Sequence, residues 1–307
     1  MSLGQYTVKP AAFSAERDSA LSHLRTEAFS TDGWVKFDEK ENVTYEKKTA
    51  APGDSSPMPF VRGRGVVTGF NPDQFLALIS CPELRSRWIG TTQEVKLFER
   101  YSQHEMCYHI AQKGVGFLVK PRDTFVVQDT IFNDDGTIER IQTSVSDDRI
   151  PPKSGRVRGN LTIAGWILKP HETGVEVTYV FKTNPGGSVP QTVTNTIVSQ
   201  TPGAISRCAD VLKKNGYPPY IASREVKSTI LSEAFDYDPK PTYKITLIGK
   251  SGDSFDIHFD SKVFPKGPQL VAGHGKNGLS VSPPADGKVH VSIGEAASGK
   301  EVTITMK

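Results

Sequence analysis

The sequence predicts an α+β protein in which a bent antiparallel sheet wraps around one long C-terminal helix, followed by a small all-β domain. Three observations support this fold class. The stretch Ser188–Gly216 has both end signals of a helix and an apolar stripe. Six strand-like segments separated by turns precede it, and residues 242–307 carry only strand and turn patterns.

The long helix is the best marked element. Ser188 can cap its first turn, Gln191 can bond back to the cap, and Pro190 fits a position where no N–H is needed. Gly216 is typical of a helix end. One apolar stripe follows the helical period through Val189, Val193, Ile197, Gln200, Ala204, Cys208 and Val211.

Two residues interrupt this stripe. Pro202 removes a backbone donor and clashes with the preceding turn, so we expect a kink there. Gln200 places an amide on the apolar face. Either the helix is a core helix with one tolerated polar group, or this face lines a cavity.

The chain in front of this helix predicts the sheet. We expect a helix over residues 11–29, three short strands, and two short helices between Asn71 and Trp88. An antiparallel meander follows, with its six strands at Glu94–Arg100, Glu105–Ala111, Thr124–Phe132, Ile138–Val145, Val157–Leu168 and Val175–Lys182. A bent sheet of this size must bury its concave face, and only the Ser188 helix is long enough to fill it. This arrangement is a helix-grip fold.

Three regions are therefore expected. Residues 11–218 form the helix-grip domain, 219–241 form a linker with a possible short helix at Ser223–Phe235, and 242–307 form a small β-sandwich-like domain. The last region contains no recognisable catalytic or metal-binding pattern.

Composition restricts the function. The chain has 307 residues, 36% of them apolar and 23% charged, and a net charge of +3 without a basic run, so no nucleic-acid partner is expected. Cys81, Cys107 and Cys208 form no C-x-x-C pair, which argues against a disulfide framework or a zinc site. Since no signal peptide or membrane span is recognisable, we expect a cytoplasmic protein that can also associate peripherally with membranes.

Several motifs resemble those of one family. The segments MCYHIAQKGVGFLVKPRDTFVV, GRVRGNLTIAGWILKP and TYVFKTNPGGSVPQTVTNTIVSQTP follow the order and spacing of START (StAR-related lipid transfer) domains over about residues 12–218. The resemblance implies a hydrophobic tunnel beneath the C-terminal helix that holds one lipid, without a metal, cofactor or catalysis. It also implies transient contact with membranes, where the lipid is exchanged.

Cholesterol-handling members of that family place a buried acid and a buried Arg in the tunnel. Aligning on Pro121-Arg122-Asp123 puts His109 and Gln128 at these places, so this chain departs from that pattern. Neutral hydrogen bonds from the two side chains would suit a ligand with one weakly polar end, such as a sterol, a fatty acid or an isoprenoid. Alternatively, His109 is a core histidine. The expected ligand-binding residues are Cys107, His109, Val126, Gln128, Val193, Ile197, Gln200 and Ala204.

Two neighbouring segments are assigned other roles. Arg122 and Asp123 are adjacent on a strand and point to opposite faces, so we expect them to pin the strand structurally. The loop between Lys113 and Lys120 contains the apolar residues Val115, Phe117, Leu118 and Val119. These residues either pack under the kinked helix or form a gate that touches the membrane, with Val115, Phe117 and Leu118 as the expected membrane contacts.

Two other functions stay open. Related helix-grip folds serve as polyketide cyclases and aromatases, for which His109 or Cys107 would have to act as acid or base. The chain could also be an interaction module in which the C-terminal β domain binds a protein partner under control of the lipid.

Overall fold

The computed structural model describes residues 12–307 except 52, 55, 57, 115–118, 188 and 273–276. The helices are α1 Ser14–Phe29, α2 Pro72–Ser80, α3 Arg85–Trp88, α4 Gln191–Gln200 and α5 Ala204–Asn215. The strands of the first two thirds are β1 Trp34–Lys40, β2 Val43–Lys48, β3 Phe60–Thr68, β4 Thr92–Arg100, β5 Met106–Gln112, β6 Arg122–Phe132, β7 Ile138–Ser144, β8 Val157–Arg158, β9 Asn160–His171 and β10 Gly174–Asn184. The remaining strands are β11 Tyr220–Ile221, β12 Thr229–Asp236, β13 Thr242–Ile248, β14 Asp253–His258, β15 Leu270–Ala272, β16 Leu279–Val281, β17 Lys288–Ile293 and β18 Glu301–Met306.

Strands β1–β10 form one large sheet in the order β1-β2-β3-β10-β9-β7-β6-β5-β4, with the short β8 paired in parallel to β6. All the other pairings in this sheet are antiparallel. The predicted helix-grip fold is confirmed, because helices α2, α3 and α5 lie against the concave face of this sheet.

The outer face of the sheet is covered by α1. Ala20, Leu24 and Ala28 recur at helical spacing and pack against an apolar patch of the sheet made of Ile141, Ile163, Ile167 and Val180. Gly165 lies at the point of closest approach, where a Cβ would lie 2.6 Å from the side chain of Leu24. The sheet is therefore buried on both faces in this region, and neighbouring residues of one strand enter different cores.

The long C-terminal helix is two helices. Pro202 was expected to kink it, and the helix is in fact interrupted between Gln200 and Ala204. The first half begins at Gln191 with Pro190 as its N-cap residue and without a side-chain cap, which is later than predicted. The predicted cap residue Ser188 lies outside the described residues, so its bond to the first turn stays a prediction. Pro202 breaks the helix because it has no N–H to donate and its ring clashes with the preceding turn. Gly63 packs against the break so closely that a Cβ there would lie 2.7 Å from the carbonyl oxygen of Pro202.

The C-terminal third is all-β, as predicted, but it begins earlier. Instead of the possible helix at Ser223–Phe235, residues Thr229–Asp236 form β12, which pairs with β13. The helix prediction was wrong because the apolar side chains of this segment pack into the β core, while its backbone is paired along β13. Two four-stranded sheets result, in the orders β11-β14-β17-β16 and β12-β13-β18-β15.

This all-β region is docked firmly on the helix-grip domain. Its buried side chains belong to the same apolar cluster as the concave face. The Tyr237 hydroxyl donates to the carbonyl of Gly216 at 2.6 Å, and the N–H of Tyr217 donates to Asp260 Oδ2 at 3.0 Å. Residues 219–241 are therefore part of the packed structure and do not form a free linker.

Candidate functional site

Polar side chains lie at the centre of the concave face. In the antiparallel pair β6–β7, Gln128 is opposite Gln142 and Thr130 is opposite Arg140. Arg140 is in turn opposite Trp166 on β9. Since side chains of directly paired residues share one face, two cross-strand rows bring Gln128, Arg140 and Gln142 together under the helices.

A second arginine reaches the same place from a helix. A short turn at Pro82–Leu84 leads directly into α3, whose first residue is Arg85. Its Nη1 donates to Gln142 Oε1 at 3.3 Å, Gln142 Nε2 donates to Gln128 Oε1 at 2.9 Å, and Arg140 Nη2 donates to the same oxygen of Gln128. We call Arg85, Gln128, Arg140 and Gln142 the polar cluster.

Both guanidinium groups of the polar cluster are almost fully buried. Arg85 is 8% exposed and Arg140 is 2% exposed. Burial lowers the pKa of both, and for Arg140 burial together with the nearby charge of Arg85 lowers the pKa to about 10. Arginine is not deprotonated in proteins, so both side chains carry a positive charge. Within the part of the chain that the structure describes, no carboxylate forms an ion pair with either of them.

Aromatic side chains form one wall beside the polar cluster. Trp166 stacks on Tyr179 with ring centroids 3.9 Å apart, and Trp88 and Phe75 meet Trp166 at 5.7 Å and 5.8 Å. The guanidinium of Arg85 lies 5.3 Å from the centroid of the Trp88 ring. Such a ring can stabilise a cation that has little access to water.

A cavity of about 120 Å³ adjoins the polar cluster. It lies between α2, strands β4–β6 and the C-terminal all-β region, and it reaches the polar cluster at Gln128. Its wall includes Leu76, Met106, Tyr108, Phe132, Phe235 and Tyr243. The cavity is not beneath α5, because Ala204, Ile205, Cys208 and Leu212 pack that helix directly into the core.

A comparison with models of known protein families identifies the family of this chain. The START domain model matches residues 16–207, more than half of the chain. The chain belongs to the START domain family. Membership indicates lipid binding or lipid transfer in general, and START domains are typically non-enzymatic.

Solved structures with the same fold agree with this assignment. The human StAR-related lipid transfer protein 5 superposes with a TM-score of 0.59 at 20% identity, covering 66% of this chain and 96% of that chain. The StAR-related lipid transfer protein fragment from Xanthomonas axonopodis superposes with a TM-score of 0.51 at 23% identity, covering 59% of this chain and 99% of that one. At these identities the likeness establishes the START fold alone.

A curated relative is known from Pseudomonas aeruginosa. The uncharacterized protein PA1579 is 31% identical over 117 residues, which are 38% of this chain and 56% of that protein. The chain thus matches little more than half the length of this relative. The matched segment is shorter than the START domain itself.

The START domain places the predicted strand residues on two different faces. Val126 and Gln128 face the helices and are buried in the concave face. Cys107 and His109 face the opposite side, since β5 and β6 pair His109 with Phe125 and Cys107 with Val127. The expected grouping of all four in one site is therefore wrong. The alignment groups His109, an odd-numbered residue of β5, with Gln128, an even-numbered residue of β6. In the observed register, even-numbered residues of β5 pair with even-numbered residues of β6, so His109 and Gln128 lie on opposite faces.

His109 belongs instead to a buried ion-pair network on the outer face. Its Nε2 lies 2.8 Å from Asp123 Oδ2, and Arg158 donates to both oxygens of Asp123 at 3.1 Å. Asp123 is fully buried. Burial raises the pKa of this carboxyl, but the hydrogen bonds from Arg158 and His109 outweigh burial and the net pKa is lowered. Arg122 has no such pair with any residue that the structure describes, and it donates to the carbonyls of Lys120 and Pro185.

The predicted ligand-binding residues of the two helices differ in burial. Ala204 is buried at the start of α5, Val193 and Ile197 are half-buried, and Gln200 is exposed. Gln200 was expected on a face that lines the cavity, which is wrong, because the break at Pro202 separates α4 from the core-facing stripe of α5. The predicted gate residues Val115, Phe117 and Leu118 lie outside the described residues.

Sequence reasoning missed Arg85 and Arg140. In the segment Ile138-Glu139-Arg140-Ile141-Gln142, one charged and one apolar residue occur on each of the two alternating faces, so no pattern indicates which face is the core. Within the described residues no group of three or more His, Cys, Asp or Glu side chains could hold a metal ion. The same residues contain no helix with the length and apolar character needed to cross a membrane.

Proposed function

We propose that this START domain carries one lipid molecule on the concave face of its sheet and exchanges it at membranes. The observation that carries the proposal is the polar cluster, which lies buried in an otherwise apolar face and adjoins a cavity. Buried polar groups in an apolar core cost free energy unless a partner satisfies them. A ligand with a long apolar part and one polar end would satisfy both parts of this face.

Entry of a lipid requires packed elements to separate. The cavity of about 120 Å³ is smaller than the roughly 300–1,000 Å³ typical of small-molecule pockets. Helix α4 is the element best suited to move, because none of its side chains is buried and its displacement would expose little apolar surface. The loop that follows β5 is the second candidate, since Lys113 and Lys120 at its ends are exposed and can meet lipid phosphates.

Exchange should occur at a membrane surface. Moving a chain of about a dozen methylenes into water costs roughly 10 kcal/mol, so free release is negligible. We therefore expect Phe117→Asp, in the proposed gate, to slow transfer between vesicles while equilibrium lipid binding stays nearly unchanged. Val115 and Leu118 are proposed to act with Phe117, and unchanged transfer would remove the gate from the mechanism.

The direct test is native mass spectrometry of the purified full chain, with extraction and identification of any bound species. One stoichiometric lipid supports the proposal. A protein that carries nothing, and that also takes up no sterol, fatty acid or phospholipid from vesicles, would contradict it. A protein partner for the C-terminal all-β region stays a prediction, as does a cytoplasmic or membrane-peripheral location.

A further inference from the structure

The polar cluster carries two positive charges and no negative charge. Arg85 and Arg140 are each more than nine-tenths buried, and neither forms an ion pair with a carboxylate of the described residues. Burying a cation without a partner is unfavourable, because the lost hydration is not replaced. Elsewhere in the same sheet the buried Arg62 has the partner that this rule demands, the carboxylate of Glu46 at 2.7 Å.

Several N–H groups in the polar cluster and in the adjoining Trp88 also lack an acceptor. Arg85 Nε, both Nε and Nη1 of Arg140, and the indole nitrogen of Trp88 are buried without a hydrogen-bond partner in the structure as described. The remaining contacts hold the guanidinium groups in place, since Gln142 accepts from Arg85 and Gln128 accepts from Arg140. The two glutamines therefore orient the arginines and leave other donors free.

We propose that Arg85 and Arg140 together bind the anionic end of the carried lipid, a carboxylate or a phosphate. This inference rests on the proposed lipid-carrier function and specifies the class of lipid. The oxygens of such a group accept the unpaired hydrogen bonds, and their charge balances the two guanidinium groups. Arginine is well suited to both anions because its planar donors match their oxygens. A lone hydroxyl, as in a sterol, would leave the charges uncompensated.

The cavity places the apolar part of the lipid beside this site. It reaches the polar cluster at Gln128, and from there its wall continues along Met106 and Tyr108 to Leu76 on α2. The anionic end is thus expected at the buried arginines, with the hydrocarbon chain directed toward the C-terminal all-β region. This orientation follows from the positions of the cluster and the cavity.

The experiment compares three lipids with the same chain and different ends: hexadecanoate, hexadecyl phosphate and hexadecanol. Binding to the full chain is measured by titration of tryptophan fluorescence, because Trp88 and Trp166 border the cluster. We expect at least one of the two anions to bind at least about tenfold more tightly than hexadecanol. Which anion binds better distinguishes a fatty acid from a lipid phosphate as the natural source.

Variants assign that preference to the arginines. Arg85→Met and Arg140→Met should each abolish the preference for the anion, whereas Arg64→Met, which removes an exposed arginine on β3, should keep it. Without lipid, the two cluster variants should melt no lower than the wild type, because a buried uncompensated charge has been removed. A merely structural arginine would instead lower the melting temperature. Arg85→Lys and Arg140→Lys keep the charge, and should retain the preference at reduced affinity even if a Met variant fails to fold.

Two results would overturn this proposal and leave the carrier function intact. One is equal affinity for hexadecanol and both anions, and the other is an anion preference that survives in both Met variants. If none of the three lipids binds, the anionic site is refuted. If native mass spectrometry also finds no lipid, the carrier function fails with it.

Discussion

The ion-pair network around Asp123 leads to a quantitative prediction for Asp123→Asn. The carboxylate of Asp123 is fully buried and accepts hydrogen bonds from Arg158 at 3.1 Å and from His109 at 2.8 Å. Removing one partner of a buried ion pair costs about 3–5 kcal/mol. Because the Arg158 side chain is 24% exposed and Asn keeps one acceptor oxygen, we expect the lower end, about 3 kcal/mol. This lowers the melting temperature by roughly 6–12 °C for a domain of this size.

The pH dependence of this effect has a definite sign. The pKa of Asp123 is lowered in the folded protein, so its ionised form stabilises the fold. That contribution is fully present above the unfolded pKa of about 3.9, and it is lost as the pH falls through the lower folded pKa. Urea unfolding at constant m-value should therefore show the full difference between wild type and Asp123→Asn at pH 7. The difference should shrink below about pH 4.

Asp129→Asn is the matched control. Asp129 lies on the same strand and the same face, but burial raises the pKa of its carboxyl. Its ionised form is penalised in the folded protein, so Asp129→Asn should be no less stable than the wild type at pH 7. The reasoning is refuted if Asp123→Asn costs less than about 1 kcal/mol, or costs no more than Asp129→Asn.

Two further substitutions test packing. Gly63→Ala places a Cβ 2.7 Å from the carbonyl oxygen of Pro202 and should lower the free energy of unfolding in urea by about 1–3 kcal/mol. As a control, Gly90→Ala places a Cβ with nothing within 4 Å and should change this free energy by no more than about 0.5 kcal/mol. Equal effects would show that the backbone at the helix break moves to accommodate the methyl group. Tyr237→Phe removes the donor to the Gly216 carbonyl and should lower the free energy of unfolding, measured by calorimetry, by about 1–3 kcal/mol. Tyr220→Phe should lower it by less, because Tyr220 is half-buried and its hydroxyl contacts His258 at 3.3 Å. If Tyr237→Phe leaves stability unchanged, this hydrogen bond does not help to dock the all-β region.

Most of the fold could be predicted because its signals are local. Strand alternation and turn residues located β4–β7, β9 and β10 to within a few residues, and Gly216 marked the end of α5 correctly. The helix-grip arrangement followed from the length of the sheet and the need to cover its concave face. Prediction failed where a helix pattern and a strand pattern both fit the local sequence. The segment Thr229–Asp236 is a strand because it pairs with β13, a contact that its own sequence does not reveal.

The candidate site could not be predicted in the same way. Gln128 was identified, but the hydrogen bonds that build the site join residues far apart in the chain: Arg85 and Gln142 are 57 residues apart, and Gln128 and Arg140 are 12 apart. His109 was placed with Gln128, although the strand register puts the two on opposite faces. A one-position difference in register exchanges the core face for the outer face, and no local pattern in β5 determines it.

The sequence by itself determined most of the helices and strands, their order, and the family that the chain resembles, because these depend on patterns a few residues long. Only the tertiary structure decided which side chains meet. It joined Asp123, Arg158 and His109 in a buried network on the outer face, and it left Arg85 and Arg140 together without an acid among the described residues. The physical reason is that burial and charge compensation are properties of the packed whole, set by strand register and helix docking across long separations in the chain.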